Sequence, residues 1–253
     1  MTISEPVRIN RFLADAGLGS RRDVERFVRA GRVRINDRVA DLHARVSGTD
    51  RVTLDGRELT SVQQHTYIAF NKPAGYVVSR RAQAENEQTV YALLPPDLRQ
   101  LRYAGRLDRE SRGLLFFASD GEFVHRVSHP NHKLPRRYLV QVDRLIGSGG
   151  FLFRKFCREG VRDGDELLRA RAIHIRDAER CVLDITLMTG KKRQIRRMCA
   201  RLGMHVRDLY RYSIGEYSLE DMPLAPGDWS RIDPTRVAPG LIVATADPGA
   251  SNA

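Results

Sequence analysis

The stretch Tyr103-Ala-Gly-Arg-Leu-Asp108-Arg-Glu-Ser-Arg-Gly113-Leu-Leu-Phe-Phe117 sets one carboxylate, Asp108, among the guanidiniums of Arg106, Arg109 and Arg112. Nearby positive charge favours an ionised carboxylate. Gly105 and Gly113 bound the segment, and Leu114 to Phe117 is an unbroken apolar run that predicts a buried strand. An ionised Asp on a tight loop, backed by a core strand and surrounded by phosphate-seeking charge, is equipped to act as nucleophile or base on a polyanion. Spacing alone fits an ordinary turn equally well, with the Asp paired to its own arginines.

A second constellation is Thr189-Gly-Lys-Lys-Arg193-Gln-Ile-Arg196-Arg-Met-Cys-Ala-Arg201-Leu-Gly203. Gly190-Lys191 lacks the upstream glycine and following Ser or Thr of a phosphate loop. The segment predicts a basic helix whose inward stripe is Ile195, Met198, Cys199 and Leu202. From Lys191 to Arg211 there are eight Lys or Arg and one acid, Asp208. A solvated helix normally mixes signs, so this density predicts a phosphate-facing surface. His125, His129 and His132 suggest a metal only superficially. No Glu stands beside His125, Pro130 ends the helix between them, and surface or RNA-facing histidines are the reading adopted.

The elements that position these residues follow from the rest of the chain. Its 253 residues allow a large domain and a small one. With 43 Lys and Arg against 31 acids, the net charge of +12 predicts attraction to polyanions and says little about fold. The apolar runs are too short for a membrane span and no signal peptide opens the chain. Three widely spaced cysteines form no metal pattern and fit reduced thiols in the cytoplasm.

Residues 1–62 read as the small unit. Ile9, Phe12, Leu13 and Ala16 share a helical stripe that Gly17 ends. Ser20 is placed to cap a second helix through Arg29, with Val24, Phe27 and Val28 inward. Short strands follow around Val33, Ile35, Val39, Val46, Val52 and Leu54, with turns at Asn36-Asp37 and Asp55-Gly56. Arg21, Arg22, Arg26, Arg29, Arg32 and Arg34 supply charge for a phosphate backbone, although a solvated helix face explains them as simply. Residues 63–66 read as a linker, 67–238 as the large domain and 239–253 as a weakly ordered tail. Within the large domain the pattern predicts strands at 67–70, 114–117, from Arg136 to Val142, 169–175 and 180–187. It predicts helices at 89–94, 121–128 and 151–158.

Gly105-Arg-Leu-Asp108 with Ser111-Arg-Gly-Leu-Leu resembles the catalytic motif of the pseudouridine synthases, in the branch that modifies single uridines of ribosomal RNA. Asn71-Lys-Pro-Ala-Gly75 is similar to the family's opening turn, Gln194-Ile-Arg196-Arg-Met to its third motif, and Pro226-Gly-Asp-Trp229 to its closing Gly-x-Trp. Arg11-Phe-Leu-Ala-Asp-Ala-Gly17, Ser20-Arg-Arg and Gly31-Arg-Val-Arg-Ile-Asn36 resemble the small RNA-binding domain named after ribosomal protein S4. Asn36-Asp37 stands where that domain has Asn-Gly. The resemblance runs from about residue 8 to 236.

It implies an α+β fold: a mixed, largely antiparallel sheet with flanking helices, preceded by a small N-terminal α/β RNA-binding domain. It implies isomerisation of a ribosomal uridine, with no cofactor and no metal. Asp108 takes the catalytic role, as nucleophile toward sugar or base or as the base that deprotonates the sugar. Arg196 is its ion partner, Tyr138 stacks on the flipped base, and Leu209 closes the pocket. Arg136 stands where the family carries Lys, which keeps charge but not a compact ammonium. The RNA contacts expected are Arg21, Arg22, Arg26, Arg32, Lys72, Arg106, Arg136, Lys191, Lys192, Arg193, Arg197, Arg201 and Arg211. The partner implied is ribosomal RNA, large subunit favoured over small, bound by a monomer. A non-catalytic ribosome-assembly factor or a stress-related RNA-binding module would use the same basic surfaces. Neither needs an Asp inside them.

Overall fold

The computed structural model describes residues 6–19, 21–59, 65–82 and 84–239. These form two compact units, one up to His65 and one from Thr66 onward. Among the described residues no helix is long and apolar enough to cross a membrane.

In the first unit the expected stripe makes the helix Ile9–Asp15, followed by Arg21–Arg29; Ser20 lies outside the described residues. Val33–Ile35 pairs with Arg38–Val39 on one side and Val52–Leu54 on the other, and Arg57–Leu59 completes an antiparallel sheet. Ile9, Leu13, Val24, Val28, Val33 and Val52 close the core between helices and sheet. The hairpin turns Asn36-Asp37 (φ 49° and 66°) and Asp55-Gly56 (φ 51° and 79°) are left-handed at both residues. That geometry matches the twist of the flanking strands, and Asp tolerates it better than most residues.

The second unit is built on one large sheet. Its strand order is Ala172–Asp177, Val182–Leu187, Arg136–Val142, Val206–Ile214, Arg112–Ala118, Tyr67–Lys72 and Trp229–Arg231. Arg102–Ala104 also pairs with Arg112–Ala118, and Tyr217–Ser218 with Val206–Ile214. All these pairings are antiparallel except that of Arg112–Ala118 with Val206–Ile214, where Tyr210 lies opposite Arg112 and Arg211 opposite Gly113.

The run Leu114 to Phe117 is apolar throughout because both sheet faces are covered, as the two-residue period of a strand requires. Leu114 and Phe116 enter a core with Phe123 and Val127 of the helix Gly121–Ser128. Leu115 and Phe117 enter the larger core on the opposite face, with Ile195, Met198 and Cys199 of the helix Gln194–Arg201. The basic helix therefore packs on the face that also receives Leu107 from the Asp108 loop.

Three local expectations change. The segment at 89–94 is a 3-10 turn over Val90–Leu93, halted before Pro95. The helix expected at 151–158 begins earlier as Gly149–Phe153 and continues as a π-helical segment, Arg154–Glu159. The connection beyond it holds a hairpin, Val161–Asp163 with Glu166–Leu168. Its three-residue strands are too short to leave a period in the sequence.

Candidate active site

Asp108 lies on the loop that joins Arg102–Ala104 to Arg112–Ala118. Those strands pair Ala104 with Phe116, so the loop starts and ends at one sheet edge. Gly105 turns it with φ 77°, Leu107 plugs into the core, and the amide of Ser111 closes a turn onto the carbonyl of Asp108 at 3.1 Å.

Two interior cations hold this backbone in place. Lys72 is fully enclosed, and its ammonium donates to the carbonyls of Ser111 (2.6 Å), Pro73 (3.0 Å) and Arg109 (3.3 Å). Burial and, next, repulsion from Arg211 push that ammonium down to about 8, against the attraction of Asp108 and Glu110. Arg211, also buried, donates to the carbonyls of Leu114 (2.9 Å) and Arg106 (3.3 Å). The turn at Asn71-Lys-Pro-Ala-Gly75 grips the loop as well: the Gly75 amide donates to the Arg109 carbonyl at 2.8 Å, and Arg109 Nε returns a bond to the Gly75 carbonyl at 3.2 Å.

Gly113 is required where the loop rejoins the sheet. Its φ is 110°, and a Cβ there would stand 2.2 Å from the Arg211 carbonyl oxygen. The parallel strand can approach this closely only without a side chain.

The carboxylate of Asp108 stays apart from these tethers. None of its sequence neighbours holds it. Arg109 reaches Gly75, and Arg112 forms a bidentate pair with Asp208 (2.7–3.1 Å) while covering the ring of Tyr210. The ion pair that Asp108 makes is with Arg193, at 3.7 Å. Its side chain remains 35% exposed.

Arg196, expected as that partner, is placed differently. Its guanidinium donates to Ser111 Oγ and to the Val206 carbonyl, each at 3.2 Å, and its Nε stands 3.8 Å from Glu110. At 13% exposure it supports the loop from beneath, whereas Arg193, one turn earlier and at the helix entrance, reaches the carboxylate.

The rest of the basic helix also differs from expectation. Arg197 pairs with Asp163 and Glu166, Arg201 with Asp163 at 2.6 Å, and Lys191 with Glu166 at 3.1 Å. The acids missing from the helix sequence are supplied by the Val161–Leu168 hairpin. Hydrogen bonds from Arg197 and Arg201 hold Asp163 below the usual carboxylate range. Lys191, Arg197 and Arg201 thus share the two carboxylates of Asp163 and Glu166, and Lys192 keeps an exposed position.

Lys72, Arg136 and Arg211 are corrections of a second kind. All three, expected on the surface, are interior residues. Arg136 spends its donors on the carbonyls of Val127 (2.8 Å) and Leu134 (3.4 Å), and burial presses its guanidinium below the usual arginine range. A buried cation persists where such acceptors surround it.

Tyr138 and Leu209 are both buried in the larger core with Leu107 and Ile195. Tyr138 stands opposite Arg211, which stands opposite Gly113, so the three form one row across the sheet at the end of the loop. Arg106 is exposed on the loop itself. In the N-terminal unit Arg21, Arg22, Arg26 and Arg32 are exposed. The guanidiniums of Arg26 and Arg32 lie 4.9 and 5.0 Å from the centre of the Phe27 ring, and Arg32 also pairs with Asp55.

Two contributors were not singled out from sequence. Gln194 is buried; it bonds Thr189 (3.0 Å) and the Lys191 amide (3.3 Å) through its oxygen and the Arg169 carbonyl (2.9 Å) through its nitrogen, fixing the turn into the helix. Glu110 bonds Arg193. Both stand inside the quoted motifs, and only their contacts distinguish them from filler. The three histidines do cluster, with ring centres 4.8–6.2 Å apart. Among the described residues no group of three His, Cys, Asp or Glu could hold a metal ion. Burial pushes the Cys199 thiol up to about 12, which makes it inert as a nucleophile. A cleft bordered by Pro95, Arg99 and Trp229 contains none of the loop residues and plays no part in this arrangement.

Comparison with known proteins gives two family matches. Residues 66–201 match the model for RNA pseudouridylate synthases, and residues 7–52 that of the S4 domain. The chain is 33% identical to the ribosomal small subunit pseudouridine synthase A of Vibrio vulnificus, over 88% of this chain and 94% of that one. It is 32% identical to the ribosomal large subunit pseudouridine synthase B of Yersinia pestis, over 89% and 72% respectively. A solved structure described as a pseudouridylate synthase aligns with a TM-score of 0.62 at 27% identity, covering 91% of this chain and 98% of that one.

Proposed function

As this chain belongs to the RNA pseudouridylate synthase family, we propose that it isomerises a uridine of ribosomal RNA to pseudouridine and that Asp108 is the carboxylate that carries the reaction. One observation carries this reading. The backbone of the loop is tethered on every side, yet the Asp108 carboxylate enters none of the described hydrogen bonds and only one long ion pair. A fold that makes so little use of a carboxylate, while fixing its position so closely, holds it for a substrate.

The reaction breaks the bond between the ribose carbon and N1, turns the base, and joins the same ribose carbon to C5. The C5 hydrogen leaves as a proton and N1 gains one. Asp108 attacks the sugar or the base, or removes a sugar proton; each route needs a fixed, ionised carboxylate within reach of the flipped nucleoside. Arg193 keeps positive charge beside it. Arg196 acts as a positioning residue through Ser111. Tyr138 and Leu209 supply the apolar wall against which the detached base is held.

Arg106, Lys192, Arg193 and the exposed arginines of the S4 domain supply phosphate contacts, which position RNA without reading its sequence. The chain acts as a monomer, in the cytoplasm, where ribosomal RNA is assembled. Large-subunit RNA is the first substrate to try, beside small-subunit RNA.

The test uses unmodified transcripts of both ribosomal RNAs carrying tritium at C5 of uridine. The intact protein should release tritium from one of them in proportion to pseudouridine formed. Asp108→Asn should release none and still bind the RNA. Turnover by Asp108→Asn, or silence of the intact protein on both transcripts, would overturn the reading.

A further inference from the structure

Glu110 is the second acid on the Asp108 loop, and its carboxylate lies between two arginines of the basic helix. One oxygen accepts a short hydrogen bond from Arg193 Nη1 and stands 3.8 Å from Arg196 Nε, which is buried and has no hydrogen-bond partner. The same Nη1 of Arg193 lies 3.7 Å from Asp108. A single guanidinium nitrogen is therefore shared between two carboxylates two residues apart, and it favours Glu110. Arg193 holds this position in a left-handed backbone conformation, φ 51°, that side chains other than Gly seldom adopt. Strain of that kind persists where the surroundings enforce it, often at functional positions.

We propose that Glu110 is a positioning residue that stands in for an RNA phosphate: it holds Arg193 away from direct bonding to Asp108 until the substrate backbone takes its place. This rests on the reading of Asp108 as the catalytic carboxylate. The pair is built to be displaced, since Glu110 and Arg193 are 46% and 41% exposed. An exposed ion pair is worth little, and a polyanion competes with it effectively. Asp108 gains from the arrangement as well. With Glu110 absent, Arg193 is free to close on Asp108 and occupy the oxygen that must meet the nucleoside. With Glu110 present, the nearby positive charge remains while that oxygen stays open.

Three variants test it: Glu110→Gln, which keeps shape and removes charge, Glu110→Asp, which keeps charge, and Arg193→Ala. Binding is measured on unmodified ribosomal RNA transcripts over a range of salt, in the Asp108→Asn background so that no turnover intervenes. Glu110→Gln should bind about two- to fivefold tighter at low salt, the worth of an exposed pair expressed as a ratio. Its log–log salt dependence should steepen by roughly 0.7–0.9, because Arg193 then reaches the phosphate without first leaving a carboxylate. Arg193→Ala should weaken binding more in the Glu110→Gln background than in its absence, and Glu110→Asp should keep the original slope.

Unchanged affinity and slope in Glu110→Gln would overturn the proposal, as would Glu110→Asp behaving like Glu110→Gln. A purely structural Glu110 would lower thermal stability and leave the slope alone, which also overturns it. Turnover by Asp108→Asn would instead remove the reading of Asp108, and the binding comparison would still report whether Glu110 competes for Arg193.

Discussion

Replacing Lys72 by Met removes the buried ammonium and keeps a chain of similar length. In the folded protein that ammonium is pushed from 10.5 down to about 8, with burial as the leading cause. At about 1.4 kcal/mol per pH unit, this puts a penalty of about 3 kcal/mol on the charged form. Below pH 8 both folded and unfolded chains carry the proton, and the penalty is fully present. Between pH 8 and 10.5 the folded chain releases the proton while the unfolded chain keeps it, so stability rises with pH. Above 10.5 the contribution is flat.

Lys72→Met escapes the penalty at pH 7 but removes the ammonium donor from the carbonyls of Pro73 and Ser111, at about 1–3 kcal/mol for each that stays buried, while the Arg109 carbonyl keeps the Gly75 amide. Near neutrality the variant should therefore be destabilised by no more than a few kcal/mol. The diagnostic is the difference between the two proteins. Urea unfolding at pH 7, 8, 9 and 10 should show the intact chain gaining on the variant by up to about 3 kcal/mol as pH rises through this window. The same loop holds Asp108, so turnover at saturating RNA should fall by about a hundredfold, the scale of a 1 Å misplacement, with KM nearly unchanged. A stability difference that stays flat from pH 8 to 10 would refute the account of the ammonium. Unchanged kcat would refute the claim that Lys72 positions the loop.

Gly113→Ala should be more damaging, since its Cβ would stand 2.2 Å from the Arg211 carbonyl oxygen; a loss of more than about 4 kcal/mol is expected in denaturant titrations, and unaltered stability would mean the strands do not approach so closely. Arg197→Ala should lower stability and leave the salt dependence of RNA binding unchanged, because its charge is already matched by Asp163 and Glu166. Those two carboxylates are held below their usual range by hydrogen bonds from Arg197, Arg201 and Lys191, so the stability they supply is present near neutrality and is lost as pH falls through their lowered folded values. Arg197→Ala should flatten that acid limb. Tyr138→Phe should turn over at close to the intact rate if the ring alone holds the base, whereas a loss beyond about tenfold in kcat would assign work to the hydroxyl.

The sequence predicted much of this site because its strongest signals are local. Leu114 to Phe117 reads as a buried strand, and Gly105 and Gly113 mark backbone that other residues resist. Partners across the fold were harder to foresee. Arg197 and Arg201 looked unbalanced because their acids lie 31–38 residues away, in a hairpin too short to show a period. Lys72, Arg136 and Arg211 looked like phosphate contacts because charge suggests exposure. Carbonyl oxygens, which every sequence contains, made their burial possible. Arg193 and Arg196 sit three residues apart on one helix, so choosing between them required the left-handed entrance at Arg193.

The parallel pairing of Tyr210 with Arg112 and Arg211 with Gly113 bears on how the protein comes into being. It joins positions roughly a hundred residues apart, and such distant pairings are slow to form. A nascent chain that has not yet reached Val206 already contains the whole Asp108 motif. It still lacks the guanidinium that holds the Arg106 carbonyl and the strand that fits against Gly113. Synthesis runs from the N-terminus at roughly 5–20 residues per second, so the motif waits several seconds for its scaffold. The small RNA-binding domain is complete long before then. A growing chain can thus be armed to touch RNA before it is able to alter it, and closure of this one seam turns a binder into an enzyme.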